Sequence, residues 1–189
     1  MKSSETTILV IAGYEGSDSA HWQHRLVNKL TSAQLVEQDD WLFGSLPVAV
    51  DRIVLAVSLA PNPVVLIGHS VGCCLVAHAV KALDVAGIAQ KVKGAFLVSA
   101  PDPAIVKTLS GIDPLLAIVP LEKLPFPALV ISSSNDPFCS QEVSKSLATG
   151  WGADWSDAGA AGHIDHSSGH GPWPEGMMRF AGFLSKLPA

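Results

Sequence analysis

Apolar residues along this chain fall into two kinds of segment that differ in length and in period. Short runs rich in Val, Ile and Leu have the pattern of buried strands. Between them lie longer segments in which apolar residues recur every three or four positions, which is the pattern of helices. The predicted strands are residues 6–12, 34–38, 64–67, 92–99, 129–132 and 153–157. The predicted helices are residues 20–30, 47–59, 70–86, 140–149 and 174–187.

Two of these helices have a recognisable start. Ser19 is the expected N-cap of the first helix, because a serine oxygen can accept a hydrogen bond from the first free backbone N–H groups. Pro47 is expected in the first turn of the second helix, where its missing N–H has no consequence.

The alternation of strands and helices predicts a doubly wound parallel sheet. Right-handed crossovers place helices on both faces of such a sheet. Apolar residues make up 48% of the chain and charged residues 15%, and the mean hydropathy is +0.34, which agrees with strands that are buried on both sides. We expect one domain, residues 1–189, with a three-layer α/β/α sandwich and a mostly parallel sheet of about six strands.

The charge, the cysteines and the first residues indicate which partners, cofactors and compartments to expect. The net charge is −5 and the 12 basic residues are scattered singly, so neither nucleic acid nor an anionic membrane is an expected partner. Cys73, Cys74 and Cys139 lack the spacing of a disulfide framework or of a metal site. Residues 1–5 lead directly into a strand without the apolar region of a signal peptide. These features predict a soluble cytoplasmic protein without a cofactor.

Residues 64–75 carry the clearest chemical signal. A β-branched run leads into the G-x-S-x-G pattern centred on Ser70, and a helical segment follows at once. This is the setting of a nucleophile elbow, in which a serine projects above the sheet from a tight turn. We expect Gly68 and Gly72 to be required because a Cβ at either position would clash with the adjacent strand or helix.

Other candidate residues follow the remaining predicted strands. Active sites in parallel sheets lie beyond the carboxyl ends of the strands. An acid and His163 come after Ser70 in the chain, which is the order Ser, Asp, His. The acid is either Asp136 or Asp102, and the prolines on both sides of Asp102 favour Asp136.

Several longer motifs make the chain similar to a known family. It resembles the small α/β-hydrolase family that includes the retinoblastoma-binding serine hydrolase of animals and its bacterial relatives. The resemblance implies a compact hydrolase with Ser70, Asp136 and His163 as its triad, and it brings no physiological substrate. The Leu-x-Cys-x-Glu motif associated with the animal protein has no counterpart here. The motifs are His21-Trp22-Gln23, Gln38-Asp39-Asp40-Trp41, Gly68-His69-Ser70-Val71-Gly72, Ser134-Asn135-Asp136-Pro137-Phe138, Gly162-His163-Ile164 and Gly171-Pro172-Trp173-Pro174-Glu175-Gly176.

Each candidate residue has a defined chemical role. Ser70 is a weak nucleophile that needs a base, and His163 can supply it, with Asp136 fixing the imidazole tautomer. The backbone N–H groups of Val71 and Tyr14 are the expected donors of an oxyanion hole. The residues expected to line the substrate pocket are Gly13, His69 and Trp22.

Two alternatives to this site arise from the same residues. Three histidines and Asp165 lie within residues 163–170, which is a possible metal-binding loop, although its glycines do not preorganise ligands. The long connection of residues 100–127 contains several leucines and is either a partial apolar lid over the site or a cover for the sheet.

The predicted function is hydrolysis of small acyl esters by a serine hydrolase of the carboxylesterase type. Thioesters and amides are alternative substrates. A catalytically idle binding protein on a hydrolase scaffold is the alternative from another class, and the presence of all three triad residues favours an enzyme.

Overall fold

A computed structural model describes residues 1–188, and it contains a six-stranded sheet in which every strand pair is parallel. The strands are β1 (Thr7–Ile11), β2 (Ala33–Leu35), β3 (Val64–His69), β4 (Val92–Val98), β5 (Ala128–Ser132) and β6 (Asp154–Asp157). The helices are α1 (Trp22–Lys29), α2 (Leu46–Leu59), α3 (Val71–Val85), α4 (Pro103–Val106), α5 (Gln141–Trp151) and α6 (Pro174–Lys186).

Alternate strand residues point to opposite faces, and each face carries its own helices. In β1, Leu9 and Ile11 pack in a core with α2, α3 and α5. Ile8 and Val10 pack in a second core with α1 and α6. The same alternation continues through β3 and β4, as the two-residue period of a strand requires. The predicted three-layer α/β/α sandwich with six strands is therefore confirmed.

The strand order is β2-β1-β3-β4-β5-β6. The chain leaves β1 outward to β2, returns to pair β3 on the other side of β1, and then adds strands in the opposite direction. The connections after β1 and β3 therefore diverge. This topological switch point leaves a crevice between the two loops, which is where open parallel sheets bind ligands.

The helix boundaries differ from the prediction at one informative place. Helix α1 begins at Trp22 and its N-cap is His21, whose Nδ1 accepts a hydrogen bond from the backbone N–H of Gln23. The predicted cap, Ser19, is wrong because a turn comes first: the Asp18 carboxylate accepts from the N–H groups of Ala20 and His21. Pro47 lies in the first turn of α2 as predicted.

The longest of the helices in residues 1–188 is α3, with 15 residues. None of the helices described combines the length and the apolar character that a bilayer crossing needs.

All three cysteines are buried free thiols. Cys73 and Cys74 lie on α3 directly after the elbow and are fully buried, and Cys139 follows β5. Burial raises the pKa of Cys74 and Cys139 to about 12 and raises that of Cys73 well above its ordinary value.

Candidate active site

A small cleft of about 180 Å³ lies at the switch point. It is lined by the loop after β1, by His69 and Ser70 at the end of β3, by His21, and by the loop after β6. Ligand sites for drug-sized molecules usually enclose about 300–1,000 Å³. The cleft therefore suits a small ligand or a small part of a larger one.

Ser70 occupies the strained turn of the elbow. Its backbone has φ +54° and ψ −129°, a region that residues with a Cβ rarely adopt. Such a conformation costs roughly 1–3 kcal/mol and persists only where the surroundings enforce it. Here the Ser70 N–H donates to the carbonyl oxygen of Val98 at 3.0 Å, and the Ser70 carbonyl accepts from the N–H of Cys73 at 2.9 Å. These two bonds connect the turn to β4 and to α3.

Both glycines of the motif sit where backbone passes close by. A Cβ on Gly72 would lie 2.4 Å from the carbonyl oxygen of Ile11, and one on Gly68 would lie 3.0 Å from the backbone of Cys73. The expected clash is confirmed at Gly72, whereas a Cβ on Gly68 would make a tight contact with the backbone of Cys73. This close packing of α3 against β1 is what holds Ser70 above the sheet.

His163 and Asp136 form a buried pair beside the cleft. Nδ1 of His163 lies 3.0 Å from both carboxylate oxygens of Asp136, whose side chain is only 2% exposed. A carboxylate accepts only, so Nδ1 carries the proton and Nε2 is free to act as a base. The structure thus brings Asp136 to His163, and places His163 and Ser70 on the walls of one cleft.

Asn135 positions this pair, although its own role was not evident in the sequence. Its side-chain oxygen accepts from the backbone N–H of Gly162 at 2.7 Å and from the Ser133 hydroxyl at 2.8 Å. The loop after β5 is thereby tied to the loop after β6, next to the acid and the histidine. The Asn135-Asp136 pair at a strand end is the only sequence signal that pointed to this link.

Asp102, the competing acid, has a different function in the fold. Its carboxylate accepts from the backbone N–H of Ala104 at 2.8 Å and caps α4. It makes no hydrogen bond to His163 among those described for residues 1–188.

The two expected oxyanion donors flank the switch point: Val71 is the first residue of α3, and Tyr14 lies in the loop after β1. The backbone hydrogen bonds described for residues 1–188 include none donated by Val71 or Tyr14. The loop that presents Tyr14 is held on both sides, because the Glu15 N–H donates to the carbonyl of Trp41 at 2.8 Å and the Tyr14 hydroxyl donates to that of Ser110 at 2.7 Å. Neither N–H group is therefore already used by one of these bonds. Gly13, in the same loop, also lines the cleft.

His69 lines the cleft and binds the backbone of His163. Its Nε2 lies 2.9 Å from the carbonyl oxygen of His163, so this nitrogen carries the proton and donates. The two rings are 4.9 Å apart. Burial lowers the pKa of His69 well below 6.5, with His163 and His21 adding to the effect. A neutral His69 thus fixes the backbone of His163 without adding charge.

Trp22 does not line the cleft, which corrects the prediction. Its indole N–H donates to the carbonyl of Ile164 at 2.8 Å and the side chain is buried in the α1 and α6 core. Its other surface faces a separate groove of about 490 Å³ between α1 and α6, lined mainly by apolar side chains. The neighbouring His21 is buried and lines the cleft. Because α1 begins at Trp22, His21 is the N-cap that lines the cleft and Trp22 is a helix residue that packs in the core.

The remaining histidines of the loop after β6 have partners other than Asp136. His166 pairs with Asp18 at 3.0 Å, and the ring of His170 packs 6.2 Å from that of Trp173. No group of three or more metal-ligating side chains with suitable geometry occurs in the described part of the chain.

The connection of residues 100–127 packs beside the sheet. Leu116 is fully buried in the core with α3, whereas Leu115, Ile118 and Leu121 are at least half exposed. The described residues that line the cleft include none from this connection. Leu116 therefore supports the role of a cover for the sheet, and the connection meets the cleft loop at Ser110, whose carbonyl accepts from the Tyr14 hydroxyl.

A serine elbow at the switch point of an all-parallel sheet with helices on both faces defines an α/β-hydrolase. The chain belongs to the serine hydrolase family, because the sequence model of that family matches residues 8–182. No curated protein sequence gives a significant match. The retinoblastoma-binding branch of the family stays a prediction.

Several solved structures of hydrolases are similar to this chain. A YdeN-like hydrolase from Pectobacterium atrosepticum is 29% identical, with a TM-score of 0.83 over 98% of this chain and 95% of that chain. The ydeN gene product of B. subtilis is 20% identical, with a TM-score of 0.72 over 96% and 100%. Esterase RhEst1 from Rhodococcus sp. is 17% identical, with a TM-score of 0.65 over 99% and 93%. The last two show the fold alone.

Proposed function

We propose that this serine hydrolase is a carboxylesterase that acts on small acyl esters, with Ser70, His163 and Asp136 as its catalytic residues. The observation that carries the proposal is the buried Asp136 carboxylate on Nδ1 of His163, beside a cleft that also contains the elbow serine. An imidazole held in this tautomer presents a basic Nε2, which is what a serine needs in order to attack.

The first half of the reaction forms an acyl-enzyme. Nε2 of His163 takes the proton of the Ser70 hydroxyl as the oxygen attacks the ester carbonyl carbon. The carbonyl oxygen becomes an oxyanion and accepts hydrogen bonds from the N–H groups of Val71 and Tyr14. His163 then gives its proton to the departing alkoxide, and an alcohol leaves. Asp136 stabilises the imidazolium between these two transfers.

The second half returns the enzyme to its starting state. A water molecule loses a proton to Nε2 of His163 and attacks the acyl carbon. The tetrahedral intermediate uses the same two oxyanion donors, and its collapse releases a carboxylic acid as Ser70 recovers its proton.

The size of the cleft supports a short acyl group. A volume of about 180 Å³ is small for a ligand site, and the connection of residues 100–127 adds no apolar cap. We expect kcat/KM for p-nitrophenyl esters to fall as the acyl chain lengthens. Thioesters and amides of equal acyl size are the alternative substrates to compare.

Labelling with a fluorophosphonate probe tests the nucleophile directly. We expect the wild-type protein to form a covalent adduct at Ser70 and the Ser70→Ala variant to form none. Ser167→Ala is the matched control, since Ser167 also lines the cleft and its loss should leave labelling intact. A folded wild-type protein that stays unlabelled would mean a binding protein on a hydrolase scaffold.

A further inference from the structure

We infer that the cleft is built for a short, uncharged acyl group that carries its own hydrogen-bond acceptor, an ether or hydroxyl oxygen, and that Nε2–H of His21 is the donor that binds it. The inference rests on the proposed function, because it concerns the acyl group that Ser70 would receive. It changes the expected substrate from a plain alkanoyl ester to an alkoxyacyl or hydroxyacyl ester.

The composition of the cleft wall is the first observation. The described residues that line it are glycines, serines, histidines and aspartates together with Tyr14. Burial of a methylene is favourable where it leaves water for an apolar surface. An alkyl chain finds little aliphatic surface in this cleft, so affinity for the acyl group has to come from polar contacts.

The state of His21 is the second observation. The side chain is 4% exposed, and its Nδ1 accepts from the N–H of Gln23 at 3.2 Å as the cap of α1. An imidazole nitrogen that accepts carries no proton, so in the neutral ring the proton is on Nε2. Nε2 is buried and has no hydrogen-bond partner in residues 1–188. A buried donor without a partner is destabilising, and a ligand oxygen that reached Nε2 through a small shift of the cleft wall would supply the missing partner.

The protonation of His21 determines which ligand atom it can bind. Burial lowers the pKa of His21 to about 4, so the ring is neutral at pH 7. A neutral ring with Nδ1 occupied offers one donor and no acceptor. The matching ligand atom is therefore an acceptor oxygen, whereas an ammonium group has no lone pair to offer.

A second buried polar atom lies in the same wall. The Ser17 hydroxyl oxygen has no hydrogen-bond partner in the described chain, and Ser17 lines the cleft. The backbone of Ser17 is held in place, since Nε2 of His24 lies 2.9 Å from its carbonyl oxygen. A ligand hydroxyl can accept from His21 and donate to Ser17, while an ether oxygen uses His21 alone.

The charges around the cleft exclude anionic acyl groups. Asp18 and Asp165 both line it. Burial alone would raise the pKa of Asp165, but hydrogen bonds from Ser168 and Ser167 outweigh it and lower the pKa to about 2. Carboxylates that are ionised at neutral pH repel a second anion. The acceptor oxygen is therefore that of an uncharged group.

An isosteric substrate pair tests the inference. The p-nitrophenyl esters of methoxyacetate and butanoate differ by an oxygen in place of a methylene, and the measured quantity is the ratio of their kcat/KM values. His21→Asn keeps an oxygen that can cap α1 and removes Nε2; the amide N–H of asparagine lies one bond closer to the backbone and does not reach the position of Nε2. We expect the ratio, methoxyacetate over butanoate, to fall about tenfold in this variant. Differences in intrinsic ester reactivity cancel because the same two substrates are used throughout.

Controls keep the outcomes distinct. His78→Asn, on α3 and outside the cleft, should keep the wild-type ratio. A folded His21→Asn variant with an unchanged ratio overturns the inference and leaves the serine mechanism intact. Absence of hydrolysis of both esters by folded wild-type protein overturns the proposed function, and the inference with it. If asparagine at this position prevents folding, His21→Ser supplies another capping oxygen for the same comparison.

Discussion

Asp136 and Asp102 both follow strands of the sheet, but only Asp136 contacts a histidine. Asp136→Asn should leave the fold intact and lower kcat by up to about 10⁴, because an amide at this position no longer fixes the productive tautomer of His163. Asp102→Asn is the matched control, since an asparagine can still cap α4, and it should change kcat little. Steady-state hydrolysis of a short aryl ester measures both. The opposite ranking would assign the acid to Asp102.

Residues whose role depends on a local motif were predictable from the sequence. The elbow around Ser70 is such a case, since the strand, the glycines and the helix are contiguous. The roles of Asn135 and His21 depend on contacts that the motif does not specify: Asn135 bonds to Gly162, 27 residues further along the chain, and His21 caps α1 because the helix begins two residues later than predicted. Trp22 was misassigned for that same reason.

At the scale of elements, the contact between α3 and β1 decides whether the elbow forms. Gly72→Ala would place a Cβ 2.4 Å from the Ile11 carbonyl oxygen and 2.7 Å from that of Ala12, both backbone atoms that cannot rotate away. We expect a loss of about 3 kcal/mol in the free energy of unfolding, and a larger relative loss of activity, because β1 also carries the Tyr14 loop.

Chemical unfolding followed by circular dichroism measures this change. Gly182→Ala is the matched control: Gly182 lies within α6 and a Cβ there would meet no atom within 4 Å. That substitution should raise stability by up to about 1 kcal/mol, since alanine is the better helix former. Equal stability of the two variants would show that α3 can move away from β1 at little cost.

Strand positions were the easiest elements to predict, because apolar runs buried on both faces leave little ambiguity. The ends of elements were harder. The second strand is β2, Ala33–Leu35, where the sequence predicted residues 34–38. Its position is set by pairing with Ile8, Leu9 and Val10 of β1, and a pairing partner is not visible in a local pattern.

For the whole molecule, buried histidines make stability depend on pH. Burial holds the pKa of His21 at about 4 and that of His69 well below 6.5. An unfolded chain takes up protons at these residues below about pH 6.5, whereas the folded chain takes them up at lower pH. Stability is therefore full above pH 6.5 and falls as the pH drops towards 4. For His21 alone the loss at pH 5, relative to pH 8, is about 2 kcal/mol.

Denaturant unfolding at pH 8 and at pH 5 checks this expectation. The wild-type protein should lose stability between the two values, and His21→Asn should lose about 2 kcal/mol less. His170→Asn, in which the histidine lost is not deeply buried, should behave like the wild type. A His21→Asn variant with the full wild-type pH dependence would contradict the burial argument.

The three buried thiols have a practical consequence for how the protein meets oxidants. Sulfenic acids and mixed disulfides form from a thiolate that solvent can reach. Cys73 and Cys74 offer neither accessibility nor ionisation while the chain is folded, and Cys139 is only 7% exposed with its pKa raised to about 12. Oxidation of Cys73 and Cys74, and covalent dimers linked through them, therefore begin only after the helix behind the elbow has opened. We therefore expect the folded protein to retain its free thiols during storage without a reductant, and to lose them only as it unfolds.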